Sequence, residues 1–307
     1  MSNKKYLISV ISWEDRFKEG LPKLLDKLNP QKVILFYYKE YWDRTQEVIS
    51  NLKALKKEGF EIEYNEIYFS DLSKTWSILL AQLEIIERDD EVFFDLTTAP
   101  REFIWMALNI LKHKNTKVSC YYHEPKGYGD WQSRNPKKPR VVYKLGGITK
   151  LGQPTRLLIS TGYDLDRVQQ LITYYEPDKV VLCIQSGVRA KNEEAQQKYE
   201  QLLNENPYLR DTIEKIEVDS YSADCGMKTY AAALKKLEPD SHNILLCSLG
   251  PKLSALPLFI LHRSNESTAL VYAPSSDYNI DYSHGLKATQ VCKICKDEIY
   301  NTVLENS

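Results

Sequence analysis

The chain has 307 residues, of which 41 are basic and 42 are acidic, so its formal net charge is −1. This length is sufficient for two domains with separate cores, and the balanced charge excludes recruitment of nucleic acid or anionic membranes by a global positive field. The longest apolar runs, such as Asn243 to Ser248, are far shorter than the roughly 20 residues that cross a bilayer. With no signal-peptide pattern at the N-terminus, these features predict a cytoplasmic protein without a membrane partner.

In the first half, short β-branched and aromatic runs alternate with longer segments of helical period. This alternation is typical of βα units that build a parallel sheet. The predicted strands are Tyr6 to Ile11, Lys32 to Tyr38, Glu61 to Tyr68, Glu91 to Leu96 and Lys117 to Tyr122. The predicted helices are Phe17 to Leu28, Tyr41 to Glu58, Lys74 to Glu87 and Arg101 to His113.

The second half shows the same alternation. Its predicted strands are Arg156 to Ser160, Lys179 to Ile184, Ile213 to Val218, Asn243 to Leu249 and Ala269 to Tyr272. Its predicted helices are Leu165 to Tyr175, Lys191 to Asn206, Met227 to Leu237 and Lys252 to Arg263. The fold class predicted from both halves is α/β, with two tandem Rossmann-like domains, each a mostly parallel sheet with helices on both faces.

Two short sequences recur about 150 residues apart, which predicts that the halves arose by internal duplication. The segment from Asn29 to Leu35, NPQKVIL, is echoed by EPDKVVL from Glu176 to Leu182. Ala99-Pro100-Arg101 is echoed by Gly250-Pro251-Lys252. Because solenoid repeats are roughly 20 to 50 residues long, a period of this size indicates duplicated domains.

The predicted domain boundaries follow from this repeat. The first domain covers 1–125, and the second covers 155–307 and ends in a C-terminal helix. Between them, 126–154 is a basic linker rich in Gly and Pro, in which Gly146-Gly147 favours a small hairpin turn between the flanking apolar runs.

Ligand positions follow from a rule about parallel sheets. In open α/β sheets, ligands bind outside the carboxyl ends of the strands, where the strand order reverses. A helix that starts there offers backbone N–H groups and a partial positive charge to an anion, and Arg101 and Lys252 strengthen the two helix starts. The residues selected in this way are Ser12, Trp13, Arg16, Thr97, Thr98, Arg101, Ser160, Thr161, Gly162, Ser248, Gly250 and Lys252.

Each of these features also has a purely structural interpretation. Thr-x-Pro and Gly-Pro start many helices without any ligand, and Trp13 beside a strand end is as compatible with packing as with stacking on a base. Glu14 and Asp15 repel phosphate unless Arg16 or a metal offsets them, so Mg²⁺ is an open alternative to a site without cofactors. Cys292 and Cys295 have zinc-ligand spacing, but the sequence has no second pair.

The loop Asp95-Leu96-Thr97-Thr98-Ala99-Pro100-Arg101, after the fourth strand and at the start of a helix, resembles that of a CARF domain. CARF domains are Rossmann-like sensors of CRISPR-associated and related antiviral systems. The resemblance implies that Thr97, Thr98 and Arg101, with Ser12 and Trp13 on the first loop, contact a cyclic oligoadenylate. It also implies pairing of two such domains, inside one chain or in a homodimer.

Three functions remain open at this point. The leading hypothesis is a sensor that binds a nucleotide or cyclic oligonucleotide and signals to a separate effector protein, with no catalytic residue. The alternative is an enzyme, a phosphodiesterase or nucleotide hydrolase that uses Asp95, Glu14 and Asp15. The third is a protein-interaction subunit with vestigial pockets.

Overall fold

The computed structural model describes residues 3–54, 59–114, 117–186, 192–205, 211–295 and 298–305. The chain forms two compact units: unit 1 combines 1–130 with 280–307, and unit 2 is 131–279. In the described part of the chain, no helix has the length and apolar character needed to cross a membrane.

Unit 1 begins with five βα-type strands and the helices between them. In chain order its elements are β1 (Lys5–Val10), α1 (Asp15–Leu28), β2 (Lys32–Tyr38), α2 (Trp42–Ala54), β3 (Glu61–Ile67), α3 (Leu72–Leu83), β4 (Glu91–Asp95), α4 (Arg101–His113), β5 (Lys117–Glu124) and β6 (Gly127–Tyr128).

Unit 2 repeats this alternation after two short strands. Its elements are β7 (Ser133–Pro136), β8 (Arg140–Val141), β9 (Thr155–Ser160), α5 (Leu165–Tyr175), β10 (Lys179–Gln185), α6 (Asn192–Glu205), β11 (Ile213–Val218), α7 (Met227–Lys236), β12 (Asn243–Ser248), α8 (Ala255–Arg263), β13 (Thr268–Tyr272) and β14 (Ser275–Tyr278). A short 3-10 helix, Lys252–Ser254, precedes α8.

The chain then returns to unit 1 with β15 (Ser283–His284), β16 (Ala288–Cys295) and β17 (Glu298–Glu305). The strand β16 pairs antiparallel with β5 and with β17. The predicted second domain, 155–307 with a C-terminal helix, therefore needs correction. Residues 280–307 complete the first unit, and the segment with Cys292 is a strand because it supplies the hydrogen bonds that β5 lacks on that side.

The two sheets have the same central strand order. The order is β17-β16-β5-β4-β1-β2-β3 in unit 1 and β11-β10-β9-β12-β13-β8 in unit 2. Five parallel strands thus form a 3-2-1-4-5 arrangement in each unit, which confirms the prediction of two Rossmann-like units. Because crossovers are right-handed, the helices before and after the reversal cover opposite faces of the sheet.

Apolar spacing explains how the helices of unit 1 attach to its sheet. On α1, Phe17, Leu21, Leu24 and Leu28 recur every three or four residues and are buried in one cluster with strand residues such as Leu7. The helix α4 is buried from Arg101 to Leu111, which is typical of a helix that is packed on all sides.

The hairpin predicted around Gly146-Gly147 does not form. Only Arg140–Val141 is a strand, and it pairs with β13. A Cβ on Gly147 would contact the backbone of Thr268 and Glu266, so this glycine is required for close packing of the linker on unit 2 rather than for a tight turn.

Candidate functional site

In unit 1 the strand order reverses between β1 and β4, and the two predicted loops lie side by side there. Ser9 Oγ donates to Asp95 Oδ2 at 2.8 Å, which links the ends of the two strands. Thr98 Oγ1 donates to the carbonyl of Val10 at 2.5 Å. The parallel pairing of β1 with β4 therefore brings the loop that carries Ser12 next to the loop that carries Arg101.

Thr97 holds the second loop in place from the inside. It is completely buried, and its backbone N–H donates to Asp95 Oδ1 at 2.9 Å. Its Oγ1 accepts a hydrogen bond from the N–H of His123 at 3.0 Å. The structure thus gives Thr97 a positioning role between β4 and β5.

The helix α4 starts at this loop without a side-chain cap. Its N-cap residue is Pro100, with φ −59° and ψ 150°. The Thr97 hydroxyl accepts from the backbone N–H of His123, and the Thr98 hydroxyl donates to the carbonyl of Val10. Arg101, the first helical residue, is 8% exposed. This start combines the positive end of a helix with a basic side chain.

Arg16 is a buried structural residue of the first loop. It is 1% exposed, and its Nε and Nη2 donate to Glu14 Oε2 at 3.2 and 2.5 Å. Further hydrogen bonds run from its guanidinium to Ser283 Oγ, Tyr122 Oη and the carbonyl of His123. Burial opposes the charge, but the Glu14 carboxylate holds the pKa of Arg16 well above its ordinary value. The ion pair therefore neutralises the charge of Glu14, and the Arg16 guanidinium donates its hydrogen bonds to groups inside the protein.

Trp13 and Ser12 complete the first loop. The Trp13 indole N–H donates to the carbonyl of Ile280 at 3.0 Å, and the guanidinium of Arg44 lies over its ring at 4.9 Å from the centroid. Ser12 is buried, and its Oγ accepts a hydrogen bond from the N–H of Glu14 at 3.3 Å. Trp13 is only half-buried, so its ring is the more accessible of the two side chains.

In unit 2 the corresponding reversal lies between β9 and β12, and its first polar residue belongs to a buried network. Ser160 Oγ lies 2.7 Å from Tyr230 Oη, which also lies 3.0 Å from Ser220 Oγ. Gln185 Nε2 donates to Ser160 Oγ at 3.3 Å. Burial raises the pKa of Tyr230, so the phenol stays protonated and serves as a hydrogen-bond hub.

The two loops of unit 2 pack directly against each other. The N–H groups of Leu249 and Gly250 donate to the carbonyl of Ser160 at 2.8 and 3.0 Å. A Cβ on Gly162 would collide with the Leu249 carbonyl, and one on Gly250 would lie 2.5 Å from the Thr161 carbonyl. The missing Cβ of Gly250 therefore permits close contact between the two loops.

The remaining predicted residues of unit 2 are also largely internal. Thr161 Oγ1 donates to the carbonyl of Cys183 at 3.2 Å, and Ser248 Oγ lies 2.8 Å from Ser254 Oγ. Lys252 is 8% exposed at the start of the short 3-10 helix.

A second buried arginine, Arg167, occupies the position of Arg16 in unit 2 and was not among the residues predicted from the sequence. Arg167 lies in the first turn of α5, 151 residues after Arg16, the same offset that separates Lys252 from Arg101. Its guanidinium stacks on Tyr272 at 4.8 Å and its Nε donates to the carbonyl of Ala273 at 2.6 Å. The repeated offset is the signal that would have identified it.

Among the described residues, no group of three or more His, Cys, Asp or Glu side chains has the geometry of a metal site. Cys292 is buried on β16, and its Sγ donates to Asn301 Oδ1 at 3.3 Å. The side chain of Cys295 lies outside what the structure describes.

No protein-family model matches the chain, and no curated protein matches it. Solved structures similar to it include Can2 from Sulfobacillus thermosulfidooxidans in complex with cyclic tetra-adenylate, at 17% identity and TM-score 0.30 over 39% of this chain and 32% of that one. Another is Enterococcus italicus Csm6 bound to cyclic hexa-2'-fluoro-hexa-dAMP, at 12% identity and TM-score 0.32 over 86% of this chain and 51% of that one.

The chain thus spans about a third of Can2 and about half of Csm6. It is also similar to a putative universal stress protein from Pseudomonas aeruginosa UCBPP-PA14, at 9% identity and TM-score 0.29 over 88% of this chain and 92% of that one. The Rossmann-like fold of each unit is shown by the strand order itself.

Proposed function

We propose that the protein is a sensor that binds a nucleotide or cyclic oligonucleotide at the reversal of strand order in unit 1. The observation that carries this proposal is the start of α4, where a helix without a side-chain cap and with Arg101 as its first residue opens at that reversal. Helix starts at this point of an open α/β sheet are the usual phosphate positions.

The charge balance of the neighbouring loop supports an anionic ligand. Glu14 is one of the two carboxylates, with Asp15, that would repel a phosphate there, and its pairing with Arg16 at 2.5 Å removes the contribution of Glu14. The Trp13 ring beside the same loops is half-buried, and a nucleobase stacked on it would share the ring with the Arg44 guanidinium, which lies 4.9 Å from the centroid.

Binding without turnover fits the engaged state of the carboxylates. Asp95 is fully buried, and its two oxygens accept hydrogen bonds from Ser9 and Thr97. Glu14 accepts from Arg16 and Ser283. A general base needs an oxygen within reach of a substrate proton, and Asp95 and Glu14 are held by the protein instead. The third candidate, Asp15, is half-buried and accepts from the backbone N–H of Gly285 at 3.4 Å. No observation therefore favours the hydrolase alternative over the sensor.

The CARF-like resemblance of the Asp95–Arg101 loop makes cyclic oligoadenylate the first ligand to test and antiviral defence the proposed context. A separate effector protein would receive the signal, and a homodimer would present two such sites. Two solved structures similar to the chain hold a cyclic tetra-adenylate and a cyclic hexa-adenylate analogue, so rings of these sizes belong in the panel.

The test is calorimetric titration of the full chain with cyclic tri-, tetra- and hexa-adenylate, AMP and ATP, with and without Mg²⁺. Arg101→Ala removes a charge-assisted contact worth roughly 1.5–3 kcal/mol, so affinity should fall about ten- to hundred-fold. The matched control is Arg88→Ala, an exposed arginine of the same unit just before β4, at the opposite edge of the sheet.

Absence of binding by every nucleotide would overturn the proposal and favour the protein-interaction subunit. Equal loss of affinity in Arg101→Ala and Arg88→Ala would place the site elsewhere. Release of phosphate or of linear product from a bound ring would replace the sensor by the enzyme.

A further inference from the structure

Arg167 is a buried guanidinium that is only partly satisfied by unit 2. It is 4% exposed, its Nε donates to the carbonyl of Ala273 at 2.6 Å, and its Nη2 is buried without a hydrogen-bond partner. Burial opposes its charge, yet the nearby Tyr272, Tyr278 and Asp164 raise the pKa of Arg167 above its ordinary value. The side chain is therefore a cation in the folded protein.

Arg16 is the corresponding buried arginine of unit 1, and its contacts show which groups stabilise a buried guanidinium at this position. Both arginines stack on a tyrosine at the end of the fifth parallel strand, Tyr122 in unit 1 and Tyr272 in unit 2. Both donate to the carbonyl of the residue after that tyrosine. In unit 1 the positive charge is matched by Glu14, two residues before the arginine.

The corresponding position in unit 2 is Leu165, which supplies no charge. Asp166, the acidic residue next to Arg167 in sequence, is exposed. Asp164, three residues before Arg167, is used in other contacts: Oδ1 accepts from the backbone N–H of Arg167 at 3.3 Å, and Oδ2 accepts from Ser133 Oγ at 2.7 Å. Among the described residues, none of the ion pairs includes the Arg167 guanidinium. A buried charge without a partner is strongly unfavourable.

A second buried donor without a hydrogen-bond partner lies at the start of β14. Ser275 is two residues after Ala273, the acceptor of Arg167, and its Oγ is completely buried without a hydrogen-bond partner. Buried donors without a partner are rare in folded proteins, and Arg167 Nη2 and Ser275 Oγ are two such donors in the same unit.

We propose that Arg167 is the centre of an anion-binding site in unit 2 that takes a phosphate group in the place that Glu14 fills in unit 1. The planar fork of a guanidinium matches phosphate oxygens. The site adjoins the carboxyl end of β9, next to the reversal of strand order where these folds hold phosphates. The inference stands apart from the proposed function, since inorganic phosphate alone satisfies it.

The experiment is thermal unfolding of the full chain in phosphate and in chloride at matched pH and ionic strength. Wild-type Tm should rise in phosphate by about 3 °C or more, as expected for a unit of this size with a ligand well above its Kd. A second pair, AMP and adenosine, distinguishes the source. If AMP but not adenosine raises Tm, and Arg167→Met abolishes that rise, the site takes a nucleotide phosphate. If neither compound gives a rise that depends on Arg167, the site takes free phosphate.

Two variants locate the effect. Arg167→Met removes the buried charge, so it should lose the phosphate-dependent rise while keeping a wild-type Tm in chloride within about 2 °C. Leu165→Glu copies the Glu14–Arg16 arrangement, so it should raise Tm in chloride and abolish the further rise in phosphate. The control Arg263→Gln, at the exposed end of α8, should retain the rise.

The same Tm in phosphate and chloride would overturn the inference, because a buried water would then satisfy Nη2. A phosphate-dependent rise that survives in both Arg167→Met and Leu165→Glu would also overturn it. Binding of cyclic adenylate that is lost only in Arg101→Ala tests the proposed function separately, so failure of one does not imply failure of the other.

Discussion

The guanidinium of Arg16 donates two hydrogen bonds to a single carboxylate oxygen of Glu14, at 3.2 and 2.5 Å, in the interior of unit 1. Glu14→Gln keeps the shape of the side chain but leaves the cation buried without its counter-charge. Unfolding free energy should fall by about 3 kcal/mol or more, measured by urea denaturation of unit 1. Glu61→Gln, which removes an exposed partner of Lys32 at 3.8 Å, should change it by less than about 0.5 kcal/mol. A loss below about 1 kcal/mol in Glu14→Gln would contradict the role of this pair.

Gly20 lies on α1 against the imidazole of His123, and a Cβ there would collide with the ring. In an ordinary helix interior, Gly→Ala stabilises by roughly 0.5–1 kcal/mol. Gly20→Ala should instead destabilise unit 1 by about 1–3 kcal/mol, because the added methyl overpacks a closed interior. The double variant Gly20→Ala/His123→Ala measures the coupling, and the two single effects should be far from additive. If the two single effects simply add, the contact between residue 20 and the His123 ring is not the cause of the destabilisation.

The stability of unit 1 should fall as the pH drops below about 6.5. Burial lowers the pKa of His123 below its ordinary value of 6.5, with Asp95 opposing the shift and Arg16 and Lys23 adding to it. In that window the unfolded chain takes up a proton that the folded chain does not, so stability decreases with falling pH by up to about 1.4 kcal/mol per pH unit.

Replacing His123 by Asn should flatten this dependence between pH 5 and 7 in urea denaturation series. The exposed His113 is the control, and His113→Asn should keep the wild-type slope. Burial also lowers the pKa of His262 in unit 2, so the second unit should retain its own acid sensitivity in both variants. An unchanged slope for unit 1 in His123→Asn would refute the assignment.

Gly250→Ala should destabilise unit 2 by more than about 2 kcal/mol, because the added Cβ would lie 2.5 Å from the Thr161 carbonyl oxygen. That oxygen belongs to the backbone, which cannot move away as a flexible side chain can. Gly146→Ala is the matched control within the same unit: its Cβ would meet only a Val141 methyl at 3.7 Å, an ordinary contact. Thermal unfolding should separate the two variants clearly. Equal behaviour would mean that the loops after β9 and β12 do not pack as described.

The alternation of apolar runs and helical segments was enough to predict the parallel strands of both sheets, because each βα unit is a local pattern. The partner of a strand is not local. The strand β16 pairs with β5 across about 170 residues, with Ala288 opposite Glu124, and nothing in its own composition records that choice. The predicted boundary at 155–307 was wrong for this reason.

In the candidate site as well, the positions of the loops could be predicted from the sequence, but the partners of their side chains could not. The rule for open sheets selected the loops of Ser12 and Arg101 correctly as neighbours, since it depends only on strand order. It did not reveal how each donor is used, because those partners come from distant parts of the chain: Arg16 donates to Ser283, 267 residues away. Thr97 and Arg16 were therefore predicted as ligand contacts where the structure uses them to hold unit 1 together.

The interrupted path of unit 1 has a consequence for biosynthesis. On the ribosome, unit 2 emerges as one uninterrupted stretch, whereas β5 must wait for β16, which is made last of its neighbours. At roughly 5–20 residues per second, that interval lasts on the order of ten to thirty seconds, during which the β5 edge is open to wrong pairing. The nascent chain thus completes its second half before its first.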